Sequence, residues 1–230
     1  MYPEAPLRAM TDDGHDHAEH KHDPDTSDDG RGSHADDSHH DHDEPGTHDH
    51  HDHDVHELSV AVLTVSTSRS LDDDPAGDAI AAALEEAGHS LATRELVRDD
   101  HDTVQGTVSN LVGRGDVDTL VTTGGTGVTP DDVTVEAASR LFEKELPGFG
   151  ELFRQRSYEE VGAMIVATRS TAGIANGTPV FCLPGSENAA TLGAALVVET
   201  AGHLRGLASR DEGEDGHDEH EHEHEHNHEE

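Results

Sequence analysis

Short apolar runs alternate with amphipathic segments through the middle of the chain, and each pattern predicts a different element. Residues 58–65 (LSVAVLTV) are too apolar for an exposed strand and too few for an independent helix, so they predict a strand buried on both faces. The next pattern is helical: over residues 77–87, Ile80, Ala83, Leu84 and Ala87 share one face and Gly88 marks the stop. A second strand is predicted over 91–97. It is followed by a helix over 103–113, with Val104, Val108, Leu111 and Val112 at helical spacing and one of Asp99 and Asp100 available to cap it. A third strand over 118–123 runs into Gly124-Gly125-Thr126-Gly127. A helix is then predicted over 134–145, and a turn at 146–151 opens another with Leu152, Phe153 and Tyr158 on its apolar side. Two strands, 171–175 and 178–183, flank Asn176-Gly177, a strong two-residue hairpin signal. Pro184-Gly185-Ser186 then turns into a final helix over 188–207, whose Ala and Gly content suits close packing on a sheet or a neighbouring subunit.

This order predicts an α/β fold in which three successive strand–helix units bring Ser66–Arg69, Asp99 and Gly124–Gly127 to one edge of one sheet. Ligand crevices of open α/β sheets lie outside the carboxyl ends of the strands, so this edge is the predicted site. The glycine stretch reads as an anion cradle, because a backbone without Cβ atoms can approach a ligand and turn successive amides toward it. It is neither a Walker A loop nor a dinucleotide fingerprint, since Gly-Lys-Ser/Thr and the G-x-G-x-x-G spacing are both absent. Thr129-Pro130-Asp131-Asp132 follows as a helix start in capping-box style. Asp132 thus reads either as a cap or as the holder of a cation such as Mg²⁺, which would let a carboxylate stand beside a bound phosphate.

Composition changes the picture at both ends. Residues 1–57 are dominated by Asp, Glu, His, Gly and Ser and residues 211–230 by Glu and His, so neither can bury a core. The predicted domain is therefore 58–210. Of the 22 histidines only His89, His101 and His203 fall within it, and the His-rich tails read either as weak ligands for Zn²⁺, Ni²⁺ or Co²⁺ or as solvated acidic tails. The formal charge of −37, with Lys only at positions 21 and 144, argues against a nucleic-acid groove and suggests a high-salt cytosol. Cys182 is the sole cysteine, which excludes an internal disulfide and predicts a core thiol. No apolar signal segment or membrane-length run is present, so a cytoplasmic protein is expected.

The motifs TTGGTGVTPDDVT (122–134), PGFGE (147–151), AGIANG (172–177) and PGS (184–186) together resemble the MoaB/Mog family of molybdenum cofactor biosynthesis. The resemblance spans the predicted domain in the family's order and leaves both tails uncovered. It implies a three-layer α/β/α sandwich with a mostly parallel sheet, assembling as a homo-trimer or hexamer and meeting other proteins of the pathway. It also implies Mg-ATP-dependent adenylylation of molybdopterin. On that resemblance Gly124, Gly125, Thr126 and Gly127 hold the ligand's phosphate, Asp99 and Asp132 are the catalytic and Mg²⁺-holding carboxylates, and Ser66, Ser68, Thr134, Glu151, Gly185 and Ser186 contact substrate. Ala76 departs from the Ser common in relatives and removes a hydroxyl. The competing readings are a molybdopterin carrier without catalysis, a nicotinamide nucleotide deamidase, whose first-loop pattern is missing, and a metal-storage protein built on the tails. Retention of both Asp99 and Asp132 favours the enzyme.

Overall fold

A computed structural model describes residues 54–209, so the expectations about the two tails lie outside the described residues. Six strands form one sheet in the order β2-β1-β3-β6-β5-β4, with β1 Ser59–Val65, β2 Ser90–Val97, β3 Thr119–Thr123, β4 Lys144–Glu145, β5 Thr171–Ala175 and β6 Thr178–Leu183. The first four in that order are parallel, while β5 and β4 extend the sheet antiparallel. The helices are α1 Pro75–Glu86, α2 His101–Val112, α3 Thr134–Ser139, α4 Pro147–Val161 and α5 Glu187–Ala208, with a 3₁₀ segment Gly162–Ala167.

The continuous apolar runs are explained by two cores, one on each face of the sheet. Along β1, Val60 and Val62 face the layer of α1, α4 and α5, whereas Ala61, Leu63 and Val65 face that of α2 and α3. Along β6, Phe181 and Leu183 join the first core and Val180 and Cys182 the second. A strand buried on both faces has no polar side to alternate with, so period-2 contrast is lost. Phe149 meets Phe181 edge to face at 5.0 Å between ring centroids. Burial pushes the Cys182 thiol up to about 11, as befits a core thiol rather than a nucleophile. Among the described residues no helix is long and apolar enough to cross a membrane.

Two expectations are corrected and an open alternative is resolved. The predicted 134–145 helix stops at Ser139 because the chain is captured by the edge of β5: Glu143 N–H donates to the Ile174 carbonyl and Leu146 N–H to that of Ala172, both at 2.8 Å. Gly173 makes this pairing possible, since a Cβ there would stand 2.3 Å from the Phe142 ring. Tyr158 is exposed, because α4 buries Phe149, Phe153 and Ser157 at i, i+4 and i+8 and Tyr158 falls one position off that stripe. Of the two packings open to the small residues of α5, on a sheet or on a neighbouring subunit, most of them take the first. Ala190, Ala194 and Ala201 are core, a Cβ on Gly193 would meet Leu183, and one on Gly202 would meet the Val55 carbonyl.

A buried carboxylate ties the first strand–helix–strand unit together. Asp74 is wholly inaccessible and caps α1 by accepting from Gly77 N–H, while its other oxygen accepts from the Thr64 hydroxyl at 2.6 Å and from Arg94 at 2.9 Å. Burial alone would raise its pKa, but the Thr64 hydroxyl, Arg94 and the Gly77 amide together hold it below the usual aspartate value. Removing one member of such a group strands the others. Asp74→Ala is expected to cost about 3–5 kcal/mol of unfolding free energy in denaturant titrations. The contribution of the ionised group is fully present above the ordinary aspartate range and is lost as pH falls through the lowered folded value, so the gap between wild type and variant should narrow in strong acid. An unchanged gap there would assign the loss to packing instead.

Candidate active site

The chain reverses direction in the sheet at β1. The connection through α1 carries it outward to β2, and the next one, through α2, returns it to β3 on the other side of β1. The connections leaving the carboxyl ends of β1 and β3 therefore part in opposite directions, and such a point is where open α/β folds place their ligands. A cleft of about 870 Å³ lies there, lined by Ser66, Ser68, Arg69, Gly124–Gly127, Asp132, Gly185 and Ser186. Phe153, Val161, Met164, Ile165 and Leu192 supply an apolar wall opposite the loops.

The three loops meet by backbone approach. Gly124 N–H donates to the Leu183 carbonyl at 3.0 Å, and a Cβ on Gly124 would stand 2.2 Å from the Val65 carbonyl oxygen. Gly124 and Gly125 both have positive φ, at 100° and 65°, conformations in which L side chains are strained. Thr134 lies directly beneath Gly125, its N–H bonded to the Gly125 carbonyl at 3.0 Å. It is a buried support of the loop rather than a lining residue of the cleft. The N–H groups of Gly125 and Thr126 have no acceptor among the described residues. Two adjacent unpaired amides at a strand end form a cradle for an anion.

Arg169 holds this loop from outside. Its own N–H donates to the Thr126 carbonyl at 2.9 Å, its Nε to the Gly127 carbonyl at 2.6 Å, and its terminal nitrogens to the Asp132 carbonyl and the Glu136 carboxylate. With these carbonyls turned to the guanidinium, the loop is fixed without using the two cradle amides. No local pattern marks Arg169 in the sequence, because its partners are more than thirty residues away. Arg69 links the first and last loops in a similar way, bonding Asp74 and the Gly185 carbonyl, the latter at 2.9 Å.

The turn at 129–132 makes half of the expected capping box. Asp132 accepts from Thr129 N–H at 2.8 Å and from its hydroxyl at 2.6 Å, but the turn is not continued, and α3 begins only at Thr134 with Val133 at its cap position. Burial would raise the Asp132 pKa; the Thr129 hydroxyl, the amides of Thr129 and Gly127, and the charge of Arg169 outweigh it and keep the carboxyl low. Asp99 behaves oppositely. Burial pushes its pKa up, the Thr67 amide and its own draw it back, and repulsion from Asp132 and Asp131 pushes it further up. Asp100, not Asp99, caps α2, accepting from Thr103 N–H at 2.9 Å.

Asp99 thus abuts the first loop, accepting from the Thr67 amide, and feels the charge of Asp132, but it is not among the residues that line the cleft; no Arg or Lys pairs with it among the described residues. No group of three or more acidic, His or Cys side chains gathers for a metal among the described residues. The arrangement fits a Mg²⁺ shared between one or two carboxylates and substrate phosphates, not an all-protein cage. Glu151 lies outside the cleft, on the exposed side of α4. Its position inside the helix, four residues beyond Pro147, turns it away from the loops.

The coupling of the two carboxylates can be read by titration. Carboxyl-carbon NMR should show Asp99 titrating above ordinary aspartates, and Asp132→Asn should bring it down by removing a facing negative charge. An Asp99 titration indifferent to residue 132 would separate the two groups.

Comparison with known proteins agrees with this geometry. Residues 61–203 match the model of a family described as "Probable molybdopterin binding domain". The chain is 46% identical over 134 residues to molybdenum cofactor biosynthesis protein B of Bacillus subtilis, covering 57% of this chain and 78% of the relative. It is 37% identical over 159 residues to a probable molybdopterin adenylyltransferase of Methanocaldococcus jannaschii, covering 66% and 94%. A crystal structure of a molybdenum cofactor biosynthesis protein B superposes with a TM-score of 0.65 at 38% identity, over 67% of this chain and 98% of the other.

Proposed function

The chain belongs to the molybdopterin-binding-domain family of molybdenum cofactor biosynthesis, and from that premise we propose that it transfers the adenylyl group of Mg-ATP to molybdopterin in the cytoplasm. The observation that carries the reading is the presence, on one sheet edge, of two loop amides without an acceptor among the described residues, with the Asp132 carboxylate in the cleft wall and Asp99 close enough to feel its charge. The amides suit a phosphate and the carboxylates suit a cation, and adenylyl transfer needs both at one place.

A terminal phosphate oxygen of molybdopterin attacks the α-phosphorus of ATP as the bond to the β-phosphate oxygen breaks. The nucleophile is supplied by the substrate, so no activated side chain is required, in keeping with the core position of Cys182. Gly125 and Thr126 amides orient a phosphate, with Ser66, Ser68, Gly185 and Ser186 lining the cleft around it. The apolar wall of Phe153, Ile165 and Leu192 takes the flat ring system. Asp99 and Asp132 would hold Mg²⁺, which when bound neutralises charge on the phosphates. Thr129 and Arg169 position Asp132 for that role.

Asp99→Asn and Asp132→Asn keep size and hydrogen-bonding capacity but remove charge. Each is expected to lower AMP-molybdopterin formation by about 10²-fold or more, with molybdopterin affinity unchanged or tighter. If Asp132 serves only its turn, Asn replaces it well and the rate stays near wild type. An unmodified protein that binds molybdopterin but never turns over would support the carrier role instead.

The assembly follows from a different surface than α5. Tyr158, Val161, Met164 and Val166 are 60%, 48%, 74% and 81% exposed, a concentration of large apolar side chains on α4 and the 3₁₀ segment. Self-association into a homo-trimer or hexamer through this face would remove it from water. Light scattering in molar KCl should show the oligomer for wild type and a smaller species for Val166→Glu; a wild-type monomer at micromolar concentration would reject it.

A further inference from the structure

A cleft that receives anionic substrates is here walled largely by acids. Asp132, Glu160 and Glu187 line it, and Arg69 is the one basic side chain among its lining residues. Carboxylates repel a phosphate placed beside them, so the loop amides and this single guanidinium are the protein groups left to attract one. Resting on the reading of this cleft as a molybdopterin site, we propose that Arg69 contacts the terminal phosphate of molybdopterin and makes the site select phosphorylated over phosphate-free pterins.

Backbone packing sets the guanidinium beside the cradle. Arg69 Nη2 donates to the Gly185 carbonyl at 2.9 Å. Gly185 lies so close to the glycine loop that a Cβ on it would stand 3.1 Å from Gly124 Cα. The Gly125 and Thr126 amides, which have no acceptor among the described residues, follow directly in the chain. Guanidinium and amides therefore meet at the same end of the cleft.

The bonds that Arg69 makes hold it in place without exhausting it. A guanidinium carries five N–H donors in a planar fork. One goes to Gly185, and another reaches Asp74 Oδ1 at a loose 3.4 Å. Asp74 is already met by Arg94 at 2.9 Å, by the Thr64 hydroxyl and by the Gly77 amide, so its charge is shared between two guanidinium groups. The Arg69 side chain remains 31% exposed and lines the cleft. Its other donors suit phosphate oxygens, which such forks recognise through paired N–H groups. Anchorage to the last loop also fixes the side chain before the ligand arrives, which lowers the ordering cost of binding.

Anaerobic fluorescence titrations of the full-length protein at fixed ionic strength test this, with molybdopterin and pterin as probes, since pterin lacks the phosphate. Wild type should bind molybdopterin at least about tenfold more tightly than pterin; equal affinities would overturn the role. Arg69→Gln should weaken molybdopterin about tenfold or more and leave pterin unchanged. Arg69→Lys, which keeps the charge and loses the fork, should lose part of the discrimination, and it carries the test if the Gln variant does not fold by circular dichroism. An equal loss for both probes, or none for either, would leave Arg69 a fastener of the loops and overturn its role. Loss of ATP affinity with molybdopterin affinity intact would overturn it too, by assigning the guanidinium to the nucleotide. Arg69-dependent discrimination in a protein that never turns over would support the contact while removing the catalytic reading. Turnover by wild type, with discrimination undiminished in the variants, would remove the contact and leave that reading standing.

Discussion

The close approach of three strand ends at Gly124 is the constraint on which the site depends. The Gly124 amide is pinned to the end of β6 by the Leu183 carbonyl, and the space a side chain would fill is occupied by the Val65 carbonyl at the end of β1. Any Cβ there would separate β1 from β3 at the point where the loops after them must share a ligand. Gly185 extends the same contact, since its Cβ would come within 3.1 Å of Gly124 Cα. The cleft is therefore a property of backbone packing, and the side chains around it are supported by that packing.

Electrostatics then sort the acidic residues by environment. Asp74 and Asp132 are both carboxylates, yet each is surrounded by donors that hold it ionised, one for the fold and one beside the cleft. Asp99, behind the first loop, collects fewer donors and feels like charges, so it is the carboxylate near the cleft with most to gain from a cation. The arginines are used as internal fasteners. Arg94 and Arg69 tie the β1–α1–β2 unit, Arg169 ties the glycine loop to α3, and Arg205 reaches the Gly177 carbonyl beside the β5–β6 turn. A chain with so few cations commits most of the arginines in its domain to structure.

Reading the sequence located the site because the signals there are local. Glycines at 124 and 125 are demanded by positive φ, Asn176-Gly177 makes a turn with φ of 50° and 71°, and Asp100 caps the next residues. The alternation of buried strands with amphipathic helices likewise needs only the apolar pattern, and it gave the three units that converge on one sheet edge. The misassigned pieces were those in which a distant partner decided. Residues 140–146 have a helical composition, but the open edge of β5 offered backbone hydrogen bonds that a helix end would leave unmade. The Ala and Gly of α5 suit close packing of any kind, and only the sheet shows that they pack inward.

By itself, then, the sequence determined the order of the elements apart from β4, the glycine-rich turn after β3 and the family, and it pointed to Asp99 and Asp132 nearby, because each is written in neighbouring residues and fixed motif spacing. Tertiary structure decided what neighbouring residues cannot encode. It left the Gly125 and Thr126 amides without an acceptor among the described residues, brought Asp99 within reach of the charge of Asp132, drew Arg169 to the loop across more than thirty residues and moved Glu151 out of the cleft. The physical reason is that charge–charge and backbone–guanidinium interactions depend on distance through space, and chain separation sets that distance only after the sheet has formed.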